Sequence, residues 1–294
     1  MNTAEKAVFA TRHVGMHLYG HLLGVWCEPP SSGHCSGEIK VNPNCLDHQG
    51  SLAIGALATL GDMALQTALL PAYPGQRLMT MLLQVRRYGL GTCDAVHIAA
   101  QVCNVGKQAG LAHAWLKDNK GSPIGDLCGT FVPVPMPSAW RPLPWEIGLK
   151  RPVYPENSAH AGFSDDEITQ IKILNALLKD GKPQFSDLIK LGAPERDAGR
   201  WRLPWTPEMH LFNRGGEAQG GAICGALALA SKVAAPEGAI LFEHKVQFFR
   251  PAKHDVNITV EALHEGRRFT SAMSRMLDPE NRLVALGWSQ FTND

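Results

Sequence analysis

The sequence predicts an α+β fold built twice, as two tandem units that each wrap a long apolar helix in an antiparallel sheet. Three observations carry this. The stretch "DHQGSLAIGALATLGDMA" (47–64) recurs as "NRGGEAQGGAICGALALA" (213–230) at a constant offset of 166, so that Gly50 and Gly55 match Gly216 and Gly221. Further on, "NVGKQAGLAHAWLKDNKGSPIGDLCGTF" (104–131) aligns without a gap with "HEGRRFTSAMSRMLDPENRLVALGWSQF" (264–291), at an offset of 160. Finally, segments such as "DVNITVEAL" (255–263) alternate apolar and polar residues as half-buried strands do, and "DNKG" and "DPEN" supply turns.

Along the chain, residues 1–134 hold the first unit, with its core near 36–134, and 199–294 hold the second. Each unit runs as a short strand, a glycine-bearing loop, one long helix and several strands. Residues 135–198 belong to neither copy and read as linker plus helix. A Pro-rich stretch, "PVPMPSAWRPLPWEI" (133–147), precedes "SDDEITQIKILNALLKDG" (164–181), an amphipathic helix with Ser164 as N-cap and Gly181 closing it.

Composition excludes several classes. With 28 Lys plus Arg against 27 Asp plus Glu, the chain has no broad basic face with which to neutralise a phosphate backbone, so nucleic acid is not an expected partner. Residues 52–70 are apolar and near bilayer length, but Thr59, Asp62, Gln66 and two glycines interrupt them and no close Lys or Arg brackets them. They read as a buried helix, not a membrane span. The seven cysteines are scattered with no C-x-x-C pair, which argues against a zinc site and a disulfide framework. The opening stretch has no sustained apolar run behind a basic start and does not read as a secretory signal, and a reducing cytoplasm is the expected location. His13, His17 and His21 would form one row if 11–23 were a single helix; without an accompanying carboxylate, that row reads as a solvated or interfacial face, and no metal is expected.

Two features point to chemistry. Between Gln49 and Gln76 the only charge is Asp62, and a lone carboxylate on an apolar helix loses hydration, which raises its pKa or demands a partner. Gly220 and Gly221 open the second helix, where unsatisfied N–H groups and the helix dipole favour negative charge. Gln219 adds a side-chain donor there, and Asn213 fixes the loop or orients a water.

The pattern Asn213-x-x-Gly216-x-x-Gln219-Gly220-Gly221 resembles the N-x-x-G-x-x-H-G-G loop of phenylacetyl-CoA type thioesterases of the hotdog superfamily, with Gln219 in the place of His. "GGAICGALALASKVA", "VQFFRP" and "EGRRF" resemble stretches of acyl-CoA thioesterase II. The resemblance covers about two thirds of the chain. It implies a tandem double hotdog, and an Asp nine residues after the His position, inside the helix, as catalytic. Asp62 stands nine after Ala53, the first copy's counterpart of Gln219. It further implies Thr80 as a catalytic Thr, and places a catalytic Gln near Val132.

In paired hotdogs the helix Asp of one unit faces the loop of the other. Asp62 is therefore expected to meet Asn213, Gln219 and Gly220 in one composite site, whereas Ala53 and Ile54 would face Ala228 in a silent one. The implied activity is hydrolysis of acyl-CoA thioesters, with Asp62 as general base or nucleophile and no cofactor beyond the coenzyme A of the substrate. Gly221, Arg250, Arg267 and Arg268 are the expected substrate-binding residues, with Arg86 and Arg87 as further cations for CoA phosphates. A homodimer of double-hotdog chains is a possible assembly. The alternatives are a non-catalytic acyl-CoA-binding or scaffold hotdog protein, and a hotdog enoyl-CoA hydratase.

Overall fold

Twelve strands form one continuous antiparallel sheet in the computed structural model, which describes residues 1–14, 17–89, 93–136, 153–156, 161–178, 184–197 and 199–293. In chain order the described residues give α1 (Thr3–Val14), α2 (Leu18–Leu22), β1 (Val25–Cys27), β2 (His34–Lys40), α3 (Ile54–Leu69), β3 (Gln76–Arg87), β4 (Ala95–Val105), β5 (Gly110–Asp118) and β6 (Pro123–Pro135). Then follow α4 (Asp165–Leu177), α5 (Phe185–Ile189), β7 (Glu195–Asp197), β8 (Arg200–Trp205), α6 (Gly220–Ser231), β9 (Ile240–Phe248), β10 (Val256–Glu265), β11 (Phe269–Leu277) and β12 (Leu283–Thr292). The strand order is β1-β2-β4-β5-β6-β3-β9-β12-β11-β10-β8-β7. The seam between the halves is β3 on β9, with Leu83 opposite Val246 and Val85 opposite His244, all fully buried. This is the α+β double hotdog arrangement.

Period-2 burial holds where the sequence alternates: Val256, Ile258 and Val260 of β10 are buried while the residues between them are half-buried. The duplicated turns use one device. Asp118 Oδ1 accepts from Lys120 and Ser122 N–H, and Asp278 Oδ1 accepts from Glu280 and Arg282 N–H, so each Asx side chain closes its own hairpin loop.

Helices α3 and α6 pack on each other. Two glycines set how closely. A Cβ on Gly55 would lie 2.6 Å from Gly225 Cα, and one on Gly221 would lie 2.5 Å from Thr59 Cα, so the crossing admits no side chain at these points. The apolar run containing α3, Ile54–Ala72, is long enough to cross a membrane but is mostly buried inside the protein.

The repeat extends further upstream than the aligned blocks. Short helix α2 is tied by Asn44 Nδ2, which donates to Leu22 O at 3.0 Å, and α5 is tied by His210 Nε2, which donates to Leu188 O at 2.8 Å. Donors and acceptors in the two bonds are both separated by 166 positions. Gly24 and Lys190, one offset apart, both leave their helices in the left-handed region, at φ of 71° and 52°. Helix α5 thus lies inside the segment read as linker yet packs as part of the second unit, against α6.

Helix α4 starts at Ser164 with a capping box to Glu167 and packs against α1. Gly181 and residues 137–147 of the Pro-rich stretch lie outside the described residues. His13, His17 and His21 do not share a helix, because α1 ends at Val14 and His17 is the N-cap of α2; the side chain of His13 lies outside the described ones.

Candidate active site

Asp62 sits midway along α3 and is 2% exposed. Three donors converge on its carboxylate. Thr80, on β3, donates to Oδ1 at 2.6 Å, and Gln66, one turn further along α3, donates to Oδ1 at 3.1 Å. Gln219 Nε2 donates to Oδ2 at 2.7 Å across the interface between units. Gln219 is oriented by its own backbone role: it is the N-cap of α6, and its Oε1 accepts from Ala222 N–H at 3.1 Å, which leaves its amide hydrogens for Asp62. Burial pushes the Asp62 pKa up to about 6, against the opposing pull of the Thr80 and Gln66 hydrogen bonds.

Gly220, the first residue of α6, lies against this carboxylate; a Cβ there would stand 2.8 Å from Asp62 Oδ2. At that helix end its N–H has no intrahelical carbonyl to meet. Asn213 holds the loop before it by accepting from Gly215 N–H at 2.7 Å and Glu217 N–H at 3.4 Å.

These groups open onto a cavity of about 250 Å³. Asp62, Gln66, Thr80, Asn213, Gln219 and Gly220 line it together with apolar Met63, Leu70, Met79, Ile223 and Phe248, and with three arginines, Arg77, Arg214 and Arg250. Among the described residues the one other carboxylate lining it, Glu217, is ion-paired with Lys253 at 3.3 Å. The cavity therefore joins one buried acid, several neutral donors, an apolar wall and a cationic side.

The expected residues divide clearly. Asp62, Thr80, Asn213, Gln219, Gly220 and Arg250 all line one cavity. Gly221 does not line it, because it is consumed in the helix crossing against Thr59. Arg267 and Arg268 are exposed in the turn between β10 and β11 and do not line it either. Arg86 pairs with buried Asp126 at 2.6 Å, and Arg87 donates to the Leu52 and Leu241 carbonyls, so neither faces the cavity. Val132 lies on β6 opposite Met79, and besides Gln219 the glutamine that reaches the acid is Gln66, from α3 itself. Its signal was present in the sequence: residues four apart share a helix face, and Gln66 follows Asp62 by four. Arg77 and Arg214 had no comparable signal.

The opposite combination forms a second, much smaller space of about 30 Å³, lined by Ala53, Ile54, Ala228, Lys232 and Leu241, near the volume of one water molecule. Phe185 of α5 forms part of its wall and keeps it small, its ring lying where Cβ atoms on Gly55 and Gly225 would project. Lys232 stands one offset from Gln66, 3.8 Å from Asp47, and burial lowers its pKa.

Replacing Thr80 by Val is expected to raise the Asp62 pKa further, since the hydroxyl stabilises the ionised form. A carbon-detected NMR titration of the Asp62 carboxyl in both proteins checks this; an unchanged or lower midpoint in the variant would contradict it.

No family model and no curated protein matches the chain by sequence. Solved structures match it in fold. A putative oleoyl thioesterase from Lactobacillus plantarum superposes with a TM-score of 0.59 at 11% identity, covering 88% of this chain and 96% of its own. A conserved protein of unknown function with a hot dog fold, from Alicyclobacillus acidocaldarius, covers 100% of this chain and 99% of its own at a TM-score of 0.57 and 10% identity. The tesB protein of Mycobacterium avium subs paratuberculosis gives 0.56 at 11% identity, covering 91% and 96%. The chain has the double hotdog fold, and its structural neighbours include thioesterases of the acyl-CoA thioesterase II type.

Proposed function

We propose that the protein hydrolyses acyl-CoA thioesters to the free acid and coenzyme A, at one composite site between the two units. One observation supports this above all: a single buried carboxylate, approached by donors from both units, faces a cavity with an apolar wall and a cationic side. The thioesterase names of the structural neighbours agree with it.

In this reading Asp62 is the general base. An ionised carboxylate offers about four acceptor positions, and Thr80, Gln66 and Gln219 occupy three, leaving one for a water. Asp62 takes a proton from that water as its oxygen bonds to the thioester carbonyl carbon. The negative charge moves to the carbonyl oxygen, where the N–H at the start of α6, on Gly220, is placed to stabilise it. Collapse of the tetrahedral intermediate breaks the C–S bond, and the proton held by Asp62 passes to the departing thiolate. Arg77, Arg214 and Arg250 would meet the phosphates of coenzyme A. The three donors on Asp62 also favour a second reading, in which the carboxylate serves to join the two units and the protein binds acyl-CoA without turnover.

The test is a panel of acyl-CoA and acyl carrier protein thioesters, read by free thiol release. Turnover is expected, and kcat/KM should rise with pH through about 6 as Asp62 loses its proton. Absence of thiol release from every thioester would remove the reading.

A further inference from the structure

His17 contributes nothing to the mechanism above, yet it lines the same cavity. It comes from α2, which precedes the sheet, and so from an element separate from those that carry Asp62 and Gln219. Its backbone role fixes its chemistry. As the N-cap of α2, its Nδ1 accepts from Gly20 N–H at 3.0 Å. An imidazole whose Nδ1 is an acceptor carries its hydrogen on Nε2. That second nitrogen makes no hydrogen bond to any described residue. Burial, with Arg214 nearby, lowers the ring's pKa to about 4, so the imidazole is neutral at ordinary pH. The cavity is thus given one uncharged N–H donor of fixed tautomer, held rigid by the helix it caps and packed near Met63, the neighbour of Asp62.

We propose that His17 binds substrate, donating its Nε2 hydrogen to an oxygen of the bound thioester. The inference rests on the thioesterase reading and adds a residue that the duplication does not predict, because the residue that caps α5 is Gln184, next to Phe185 in the wall of the small second space. A neutral donor suits a neutral acceptor that gains charge during reaction, such as the thioester carbonyl, and equally a hydroxyl or oxo group on the acyl chain.

The experiment compares His17→Ser, which keeps an N-cap acceptor but lacks the ring, with His17→Ala, which loses both. Each is assayed on a plain acyl-CoA and on the 3-hydroxyacyl-CoA of equal length, with thermal melting alongside. His17→Ser should lower kcat/KM about tenfold or more while keeping the wild-type melting temperature and the pH limb near 6. Loss on both substrates identifies the thioester carbonyl as the acceptor, and loss on the hydroxylated one alone identifies the chain oxygen. Wild-type kcat/KM in His17→Ser on both substrates, with only His17→Ala impaired through its stability, would leave His17 a helix cap and overturn the proposal. If the wild-type protein releases no thiol, the thioesterase reading fails separately. His17 is then judged by affinity for two inert CoA analogues, an amide that keeps the carbonyl oxygen and a thioether that lacks it. Weakened binding of the amide alone in His17→Ser supports the donor, and equal affinities in variant and wild type refute it.

Discussion

Asp62→Asn is expected to lower thioester hydrolysis by about a hundred- to ten-thousand-fold while leaving the protein folded, the range that a positioned general base contributes. Two stability effects of opposite sign explain why the fold survives. Burial raises the Asp62 pKa from 3.8 to about 6, so ionisation is disfavoured in the folded protein relative to the unfolded chain. The associated stability is therefore fully present below about pH 4 and is lost as pH rises through 6. The shift corresponds to roughly 3 kcal/mol at neutral pH, and the neutral amide escapes that cost.

Asn also brings a conflict. Its oxygen can accept from Thr80 and Gln66, but its NH₂ then faces the NH₂ of Gln219, whose own oxygen is committed to Ala222 N–H. That mismatch costs about 1–3 kcal/mol. Near pH 7.5 the two nearly cancel. The stability of Asp62→Asn relative to wild type should rise by roughly 2 kcal/mol between pH 4 and pH 7, because only the wild type pays for ionisation. Measuring the difference removes the buried histidines, such as His244 with its pKa lowered to about 4, which titrate in both proteins. A flat difference across that range would mean Asp62 is not held in the neutral form by burial. Full retention of turnover would remove it from the mechanism, and a protein that binds acyl-CoA without turnover would have no hydrolysis to lose.

Phe185→Ala should destabilise the fold by about 3–5 kcal/mol, the usual result of emptying a buried aromatic site. The ring is 1% exposed and fills the space that Gly55 and Gly225 leave where α3 and α6 cross. Those two positions have no side chains with which to close the void. The loss should appear in chemical denaturation as a lower midpoint with an unchanged slope. Below its melting range the variant should keep wild-type kcat/KM, since Phe185 lines the small second space and not the cavity at Asp62. A change under 1 kcal/mol would mean the helices settle together without the ring, and loss of turnover in the folded variant would mean the two sites are coupled.

Much of the fold was legible in the sequence because its signals are local and repeated. Period-2 burial in β10, the Asx turns at Asp118 and Asp278, the capping box at Ser164 and the long helices at Asp62 and Gly220 each depend on residues a few positions apart. The upstream part of the repeat was not legible, because α2 and α5 share almost no residue identities. What they share is a contact pattern, Asn44 to Leu22 and His210 to Leu188, in which different side chains make the same bond.

The site divides along the same line. Asp62 stood out as the only charge in a long apolar run, and Asn213, Gln219 and Gly220 stood out through their repeated loop and its resemblance to a family motif, so the sequence determined which residues to ask about. Tertiary structure decided which of them meet. It brought Gln66 and Thr80 to the same carboxylate, spent Gly221 on the helix crossing and left Arg267 and Arg268 in an outlying turn. It also put Arg77, Arg214 and His17 around one cavity. A sequence records which side chains exist and how they recur along the chain. Whether a donor 157 positions away stands within 2.7 Å of an acid is set by how two sheets join and how closely two helices cross.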